Sequence, residues 1–217
     1  MNNALKNSYF ITGTGTGIGK TFVSAILTEA LEADYWKPVQ AGYENGTDSD
    51  WVRAMVSHQQ TVIHPETYKL KLAASPHIAA REEGVDISLE KIFAAYSTMA
   101  FGEKNLVIEG AGGLMVPLND HEFVLDLIIK LNCRVILVSK NYLGSINHSL
   151  LTAHLCRQKR LRVAGWIFND HFMDYEDEIV KWSGYPALGS IPRLENPGKE
   201  QVREWANHIK EDLKTLL

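Results

Sequence analysis

The feature that most constrains the fold is a glycine-rich loop placed between an apolar strand and an amphipathic helix. Residues 13–21 read GTGTGIGKT, directly after the apolar run 9–12 and at the start of the helical pattern 20–32. Glycines let backbone N–H groups point inward at phosphate oxygens, and a helix N-terminus favours an anion. The segment therefore predicts a phosphate-binding loop of the kind that holds a nucleoside triphosphate.

Two side chains complete this loop. Lys20 is expected to neutralise the β- and γ-phosphates, and the Thr21 hydroxyl to ligate Mg²⁺. The common phosphate-loop pattern would place a glycine at Thr14, whereas here the nearest one is Gly13. The dinucleotide pattern G-x-G-x-x-G fails from either starting glycine, which excludes a nicotinamide site. The predicted nucleotide contacts in the loop are Gly15, Thr16, Gly17, Ile18, Gly19, Lys20 and Thr21.

Apolar runs and helical patterns alternate along the whole chain. Strands are predicted at 9–12, 35–37, 106–109, 135–139, 163–168 and 187–191, and helices at 20–32, 48–58, 89–102, 122–131, 146–159, 175–182 and 199–217. The serine and proline at 75–76 indicate a further helix start. Continuous apolar strands are typical of sheets buried on both faces, so the alternation predicts a doubly wound, mostly parallel α/β sheet with helices on both faces. No linker interrupts it, and residues 1–217 are expected to form one domain.

Composition narrows the class of partner. The net charge is -4 and the 22 lysines and arginines are scattered, which argues against a nucleic-acid partner. The apolar stretches are too short to span a membrane, and the first residues lack the pattern of a secretory signal, so a cytosolic location is expected. Cys133 and Cys156 lack the spacing of a metal site and are predicted to be buried thiols.

Carboxylates follow two of the predicted elements. Glu109 ends an apolar strand and precedes the glycine-rich run 110–113, a position typical of the metal carboxylate in phosphate-loop enzymes. A solvated residue at a strand end is the alternative. Asp50 is predicted as a second Mg²⁺ ligand, and Asp48 as the cap of the helix that begins there.

Lys37 ends the second strand and is expected to reach the same edge of the sheet as Lys20. Two cations there would neutralise a transferring phosphoryl group. A surface lysine at a strand end is an equally open interpretation. Gln40, in the loop that follows, is a candidate substrate contact, although a plain turn explains this loop equally well.

A series of motifs adds a family resemblance. In order they are GTGTGIGKT at 13–21, KPVQAG at 37–42, SD at 49–50, SPH at 75–77, EGAGG at 109–113, LGSINH at 143–148 and GWIFND at 165–170. Through them the chain resembles the dethiobiotin synthetase family, ATP-dependent carboxylases that close the ureido ring in biotin synthesis. The resemblance implies that 7,8-diaminopelargonate takes up CO₂ as a carbamate, that ATP phosphorylates this carbamate, and that the second amine displaces phosphate.

The resemblance also implies roles for individual residues. The catalytic residues would be Lys20, Lys37 and Thr16, with both lysines stabilising phosphoryl and carbamate charge. Mg²⁺ would be held by Thr21, Asp50 and Glu109. Beyond the loop, the nucleotide would contact Glu109, Asn169, Asp170 and Pro192, with Asn169 near adenine. The substrate would contact Thr16, Lys37, Gln40, Gly112, Ser145 and Asn147. Members of this family are homodimers, in which the loop 145–147 would serve the substrate carboxylate of the neighbouring subunit.

Two departures and two rival functions accompany this resemblance. Some relatives carry an acid where Gly17 stands, and the connection 31–37 is shorter than usual, which bears on the register of the second strand.

A small-molecule kinase would need an arginine-bearing lid, and only Arg134 occurs between positions 120 and 140. A partitioning or switch ATPase usually has a second lysine early in the loop, where this chain has glycine and threonine. The pair 169–170 lacks the lysine and spacing of the guanine motif N-K-x-D, which favours ATP.

Overall fold

The computed structural model describes residues 7–99, 104–170 and 173–216. The strands are β1 Ser8–Gly13, β2 Asp34–Trp36, β3 Val39–Ala41, β4 Ile63–His64, β5 Tyr68–Leu70, β6 Leu106–Glu109, β7 Arg134–Lys140, β8 Arg162–Asn169 and β9 Ala187–Ile191. Within the described residues, seven of them form one parallel sheet in the order β4-β2-β6-β1-β7-β8-β9. The short strands β3 and β5 pair in parallel beside it.

Helices cover both faces of the main sheet. They are α1 Lys20–Ala30, α2 Asp48–Met55, α3 Pro76–Glu82, α4 Leu89–Thr98, α5 Val124–Leu131, α6 Ser145–Gln158, α7 Glu176–Ser183 and α8 Lys199–Leu216. Successive strand residues point to opposite faces, so in β1 Ile11 joins the core beneath α1 and α8, whereas Phe10 joins the core beneath α4, α5 and α6. No helix of the described chain is both long and apolar enough to cross a bilayer.

The predicted doubly wound α/β fold is confirmed. The strands predicted at 106–109 and 187–191 have the predicted bounds, and the one predicted at 35–37 lies one residue earlier, at Asp34–Trp36. The helix start indicated at 75–76 is also confirmed, because α3 begins at Pro76 with Ser75 as its N-cap. The helix predicted at 89–102 ends at Thr98, and residues 100–103 lie outside the described chain, as does residue 217. Both cysteines are buried free thiols, as predicted.

Strand β1 lies at the centre of the sheet and places the site. It pairs with β6 on one side, where Ile11 is level with Glu109, and with β7 on the other, where Gly13 is level with Val138. The loop after β1 and the carboxylate that ends β6 therefore lie at the same edge. Crevices at this edge of doubly wound sheets are the usual ligand sites.

Candidate active site

A cavity of about 910 Å³ opens at this edge of the sheet. Its walls come from the phosphate loop, the segment 37–41, the start of α2, the segment 73–76 and the loop after β6. These segments are distant in sequence, and they meet because parallel strands all end at one edge. The predicted site residues that line it are Thr16, Gly17, Gly19, Lys20, Thr21, Lys37, Gln40, Glu109 and Gly112.

The phosphate loop has the backbone form that anion binding requires. Gly17 and Gly19 have φ angles of 71° and 91°, in the left-handed region that favours glycine. The side-chain amide of Asn169 donates to the carbonyl of Ile18 at 3.0 Å, which ties the loop to the end of β8. A Cβ on Gly19 would lie 2.1 Å from Asn169 Nδ2, so only glycine fits there. The open, amide-rich cradle fits a polyphosphate.

Lys20, the first residue of α1, is buried within this loop. Its Nζ donates to the carbonyl of Gly15 at 2.6 Å. Burial lowers its pKa to about 8, a shift that the negative charge of Glu109 opposes and the positive charge of Lys37 assists. An anion bound beside Lys20 would stabilise the ammonium form and raise this pKa again.

Glu109 is the most enclosed carboxylate of the site, with 1% of its surface exposed. Its Oε1 accepts hydrogen bonds from Thr21 Oγ1 at 2.8 Å and from Lys37 Nζ at 2.9 Å. Its Oε2 accepts one from the hydroxyl of Tyr35 at 2.9 Å. Three donors on one buried carboxylate offset the cost of burying its charge.

Lys37, which directly follows β2, lies in the cavity wall rather than on the surface. Only 6% of it is exposed, and its Nζ contacts the carboxylates of both Glu109 and Asp48. Burial alone lowers the pKa of Lys37, but the charges of Glu109 and Asp48 outweigh it and leave this pKa raised. Lys37 therefore brings a fixed positive charge to the cavity.

The prediction that Asp48 caps α2 is wrong, because Thr47 is the N-cap. The Thr47 hydroxyl accepts from Asp50 N–H at 3.0 Å, and Asp50 Oδ2 accepts from Thr47 N–H at 3.2 Å, which is a capping box. Asp50 also pairs with Arg53, and its side chain is 57% exposed, outside the lining of the cavity. Asp48 instead lines the cavity and pairs with Lys37. In this arrangement the cavity carboxylates are Glu109 and Asp48, and Asp50 is occupied in the cap.

Of the predicted substrate residues, Gln40 and Gly112 line the cavity together with Thr16 and Lys37. Gln40 is buried, and its amide group accepts from Asp48 N–H at 3.2 Å and donates to the carbonyl of Gly42 at 2.7 Å. Gly112 has a φ of 65°, and a Cβ there would approach Thr16 Oγ1 to 3.4 Å. Thr16 is itself exposed at the cavity mouth.

Three residues predicted to contact the nucleotide beyond the loop, Asn169, Asp170 and Pro192, lie at the ends of β8 and β9, outside the lining of this cavity. Asn169 contacts the phosphate loop, as described. Asp170 forms an ion pair with Lys140 at 2.9 Å, and its N–H donates to the carbonyl of Ile191 at 2.9 Å. Pro192 follows directly. Of the three residues, Asn169 has a hydrogen bond to the phosphate loop, and the contact of all three with the nucleotide stays a prediction.

Ser145 and Asn147 are not brought into the cavity of their own chain. Ser145, at the start of α6, is buried and bonded to the Tyr175 hydroxyl at 2.7 Å. Asn147 is exposed on the same helix, close to Leu143, which is 92% exposed.

Sequence reasoning missed two residues of the site, Tyr35 and the cavity-facing role of Asp48. A signal for Tyr35 existed, because it precedes Lys37 by two positions and residues two apart in a strand share a face. For Asp48 the sequence offered none, since Thr47, Asp48 and Ser49 are all common helix caps. Only the fold distinguishes them.

Comparisons with known proteins extend these observations. The family profile described as "AAA domain" matches residues 7–201. The chain is 49% identical over 199 residues to an ATP-dependent dethiobiotin synthetase (BioD) of Cytophaga hutchinsonii, covering 91% of this chain and 94% of the relative. It is 42% identical over 210 residues to the ATP-dependent dethiobiotin synthetase of Christiangramia forsetii, covering 96% and 99%.

Solved structures with the same fold are more distant in sequence. A MinC:MinD cell division complex of Aquifex aeolicus matches with a TM-score of 0.58 and 13% identity, covering 94% of this chain and 96% of that one. The septum site-determining protein MinD of Pyrococcus horikoshii, complexed with Mg-ADP, matches with a TM-score of 0.57 and 15% identity, covering 95% and 89%. At these identities the likeness concerns the fold.

Proposed function

This chain belongs to the dethiobiotin synthetase family, and we propose that it carries out the family's reaction in the cavity between the phosphate loop and Glu109. It is an ATP-dependent enzyme of small molecules, which carboxylates 7,8-diaminopelargonate with CO₂ and closes the ring to dethiobiotin. The observation that most supports this location is the buried Glu109 carboxylate, which contacts the phosphate-loop Thr21 and the cavity-wall Lys37 together.

The reaction as proposed has three bond-forming steps. One amine nitrogen of the substrate bonds to the carbon of CO₂ and loses a proton, which gives a carbamate. A carbamate oxygen then takes the γ-phosphoryl group of ATP, and ADP leaves. The second amine attacks the carbamate carbon, loses its proton and expels phosphate. Phosphorylation is needed because it turns a poor leaving oxygen into a good one.

The two lysines are proposed to stabilise negative charge in different parts of the cavity. Lys20 lies within the phosphate loop and faces the phosphates, where its charge offsets the charge that develops on the transferring group. Lys37 is held by two carboxylates, of which Asp48 also bonds to Gln40 through its backbone N–H, and the carbamate is proposed to lie on this side of the cavity. Thr16, in the phosphate loop, is exposed and lines the same cavity. These roles agree with those that the family resemblance implies.

Mg²⁺ is proposed to bind between Thr21 and Glu109. Their oxygens lie 2.8 Å apart, one a hydroxyl and one a carboxylate, and Mg²⁺ prefers oxygen ligands of these types. Held by Thr21 and Glu109, a bound Mg²⁺ would offset the negative charge of the phosphates. The family resemblance assigns Asp50 as the third ligand, which requires its carboxylate to leave the capping box, whereas Asp48 already faces the cavity.

The proposed metal ligands are testable by substitution. Glu109→Gln should raise the Mg²⁺ concentration needed for half-maximal activity by about 10-fold or more, since one of few protein ligands is lost. Asp50→Asn and Asp48→Asn are compared in the same titration. A raised Mg²⁺ requirement in Asp50→Asn alone supports the assignment from the family. A titration unchanged in Glu109→Gln would remove Glu109 from the metal site.

The nucleotide base and a second subunit complete the proposal. Asn169 is proposed to lie near the adenine, because it is bonded to the phosphate loop, and Asp170 and Pro192, which follow the ends of β8 and β9, are proposed as further nucleotide contacts. A homodimer is proposed because Ser145 and Asn147 lie outside the cavity of their own chain, on a helix preceded by the fully exposed Leu143. A cytosolic location stays a prediction from the sequence.

One assay tests the reaction as a whole. Purified protein is given ATP, Mg²⁺ and bicarbonate, with and without the diamine, and both ADP and the cyclic urea are measured. We expect ADP release to depend on the diamine and to match the cyclic urea one for one. Hydrolysis of ATP that ignores the diamine, with no cyclic urea, would favour a switch ATPase. Phosphorylated diamine as the final product would favour a small-molecule kinase.

A further inference from the structure

The two oxygens of Glu109 have different partners. Oε1 faces Thr21 and Lys37, whereas Oε2 accepts a single hydrogen bond, 2.9 Å long, from the hydroxyl of Tyr35. Tyr35 belongs to none of the motifs that carry the family resemblance. Its hydroxyl nevertheless contacts the carboxylate on which the proposed metal site depends.

The position of Tyr35 is fixed by the sheet. It lies in β2 beside β6, level with Val107, and none of its surface is exposed. Its ring belongs to the core beneath α1, together with Ile11 and Val23. Such close packing leaves the ring no other direction, so the hydroxyl is held against Oε2.

We propose that Tyr35 keeps Oε2 of Glu109 away from the metal, so that Glu109 binds with Oε1 alone. Ca²⁺ accepts both oxygens of a carboxylate and up to eight ligands, whereas Mg²⁺ requires a compact octahedron and takes one oxygen from each carboxylate. Tyr35 is thus a positioning residue that makes the site select Mg²⁺ over Ca²⁺. This inference rests on the proposed role of Glu109 as a metal ligand.

The test compares Tyr35→Phe with Tyr96→Phe. Phenylalanine keeps the packed ring and removes only the hydroxyl, and Tyr96 is a matched control because it is also buried and its hydroxyl bonds to Ser8, in β1, at 2.8 Å. Calorimetry measures the binding of a non-hydrolysable ATP analogue without metal, with Mg²⁺ and with Ca²⁺. In Tyr35→Phe we expect the preference for Mg²⁺ over Ca²⁺ to fall about 10-fold, with metal-free binding unchanged. In Tyr96→Phe the preference stays at the wild-type value.

Three outcomes would overturn the inference. The first is a wild-type metal preference in Tyr35→Phe, and the second is a loss of preference in Tyr96→Phe as large as that in Tyr35→Phe. The third is that Tyr35→Phe weakens metal-free binding of the analogue as much as it weakens binding with Mg²⁺. The Glu109→Gln variant shows whether a negative result concerns Tyr35 alone or the proposed ligand role of Glu109. If Glu109→Gln does not weaken metal-dependent binding, the ligand role of Glu109 is wrong. If it does and Tyr35→Phe leaves the preference intact, only the role of Tyr35 is wrong.

A measurement on the wild-type protein covers the case in which Tyr35→Phe does not fold. Difference infrared spectra on adding Mg²⁺ with the analogue report how carboxylates bind, with the Glu109 band assigned by its absence in Glu109→Gln. One-oxygen binding separates the antisymmetric and symmetric stretches widely, and two-oxygen binding narrows the separation. We expect the wide separation for Glu109, and a narrow one would contradict the inference.

Discussion

Lys20 is a buried cation whose charge the protein offsets only in part. Its pKa is lowered to about 8 chiefly by burial, so its ammonium gains little from the protein alone. We expect Lys20→Ala to lower kcat by about 10³-fold, the scale seen when one charge-stabilising group is removed. The variant should unfold at nearly the same urea concentration as wild type, because burial disfavours the charge of Lys20 and its removal therefore costs little stability. Lys159→Ala, on the exposed end of α6, is the control. Wild-type turnover in Lys20→Ala would overturn the assignment of the phosphate loop.

The two thiols give a prediction about pH. Burial raises the pKa of both Cys133 and Cys156 from 9.0 to about 12. Because the folded values are raised, the neutral thiols contribute stability that is present below pH 9 and is lost as the pH rises towards 12. At pH 8 we expect neither thiol to react with a disulfide reagent in the native protein, and both to react after unfolding in guanidinium. Rapid labelling of the native protein would show that these residues are accessible thiolates.

For individual residues, the sequence predicted the site where the residue type itself determines the chemistry. Lys20, Thr21, Lys37 and Glu109 were singled out from their positions at strand ends and in the loop, and the structure brings them together. The sequence did not show which of Asp48 and Asp50 faces the cavity, since either residue can cap a helix. The orientation of α2 relative to Lys37 decides which carboxylate faces the cavity, and this orientation is a property of the tertiary structure.

The capping box of α2 is an element that can be tested directly. Thr47→Ala removes the hydroxyl that accepts the Asp50 N–H and should lower the free energy of unfolding by about 1 kcal/mol. Ser97→Ala is the control, because that hydroxyl only donates to the Phe93 carbonyl within α4 and its loss should change stability by less than about 0.5 kcal/mol. Urea denaturation measures both. Equal effects in the two variants would contradict the cap assignment.

Most strands of the main sheet were predictable from apolar runs, and three short strands were not. The six strands predicted from apolar runs are all strands of the main sheet, because burial on both faces requires such runs. β3, β4 and β5, with two or three residues each, were not predicted, although β2, with three residues, was. The helix predicted at 48–58 ends at Met55 because Val56 adopts an extended backbone, which the helical pattern did not indicate.

Whether the molecule works as a dimer is decided by mixing variants. If Asn147 serves the site of the neighbouring subunit, a heterodimer of Lys20→Ala and Asn147→Ala contains one site with both residues intact. After random exchange of subunits, about one quarter of wild-type activity should return, since half the dimers are mixed and each has one of two sites restored. The readout is formation of the cyclic urea.

The control for this mixture is each inactive variant incubated alone. If Asn147 serves the site of its own chain, every site in the mixture lacks one residue and no activity returns. Light scattering on the wild-type protein checks the premise, with an expected mass of twice 24.3 kDa. A monomer at all concentrations would rule out the shared site.

The central place of β1 has a consequence for biosynthesis. The strand, at residues 8–13, is made long before its two hydrogen-bonded neighbours, at 106–109 and 134–140. A ribosome therefore releases an apolar segment with two open edges long before its partners emerge, and such edges attract other chains. Translation that stops before residue 134 leaves one edge of β1 without its partner strand β7, and we expect such a polypeptide to be a substrate for chaperones and proteases.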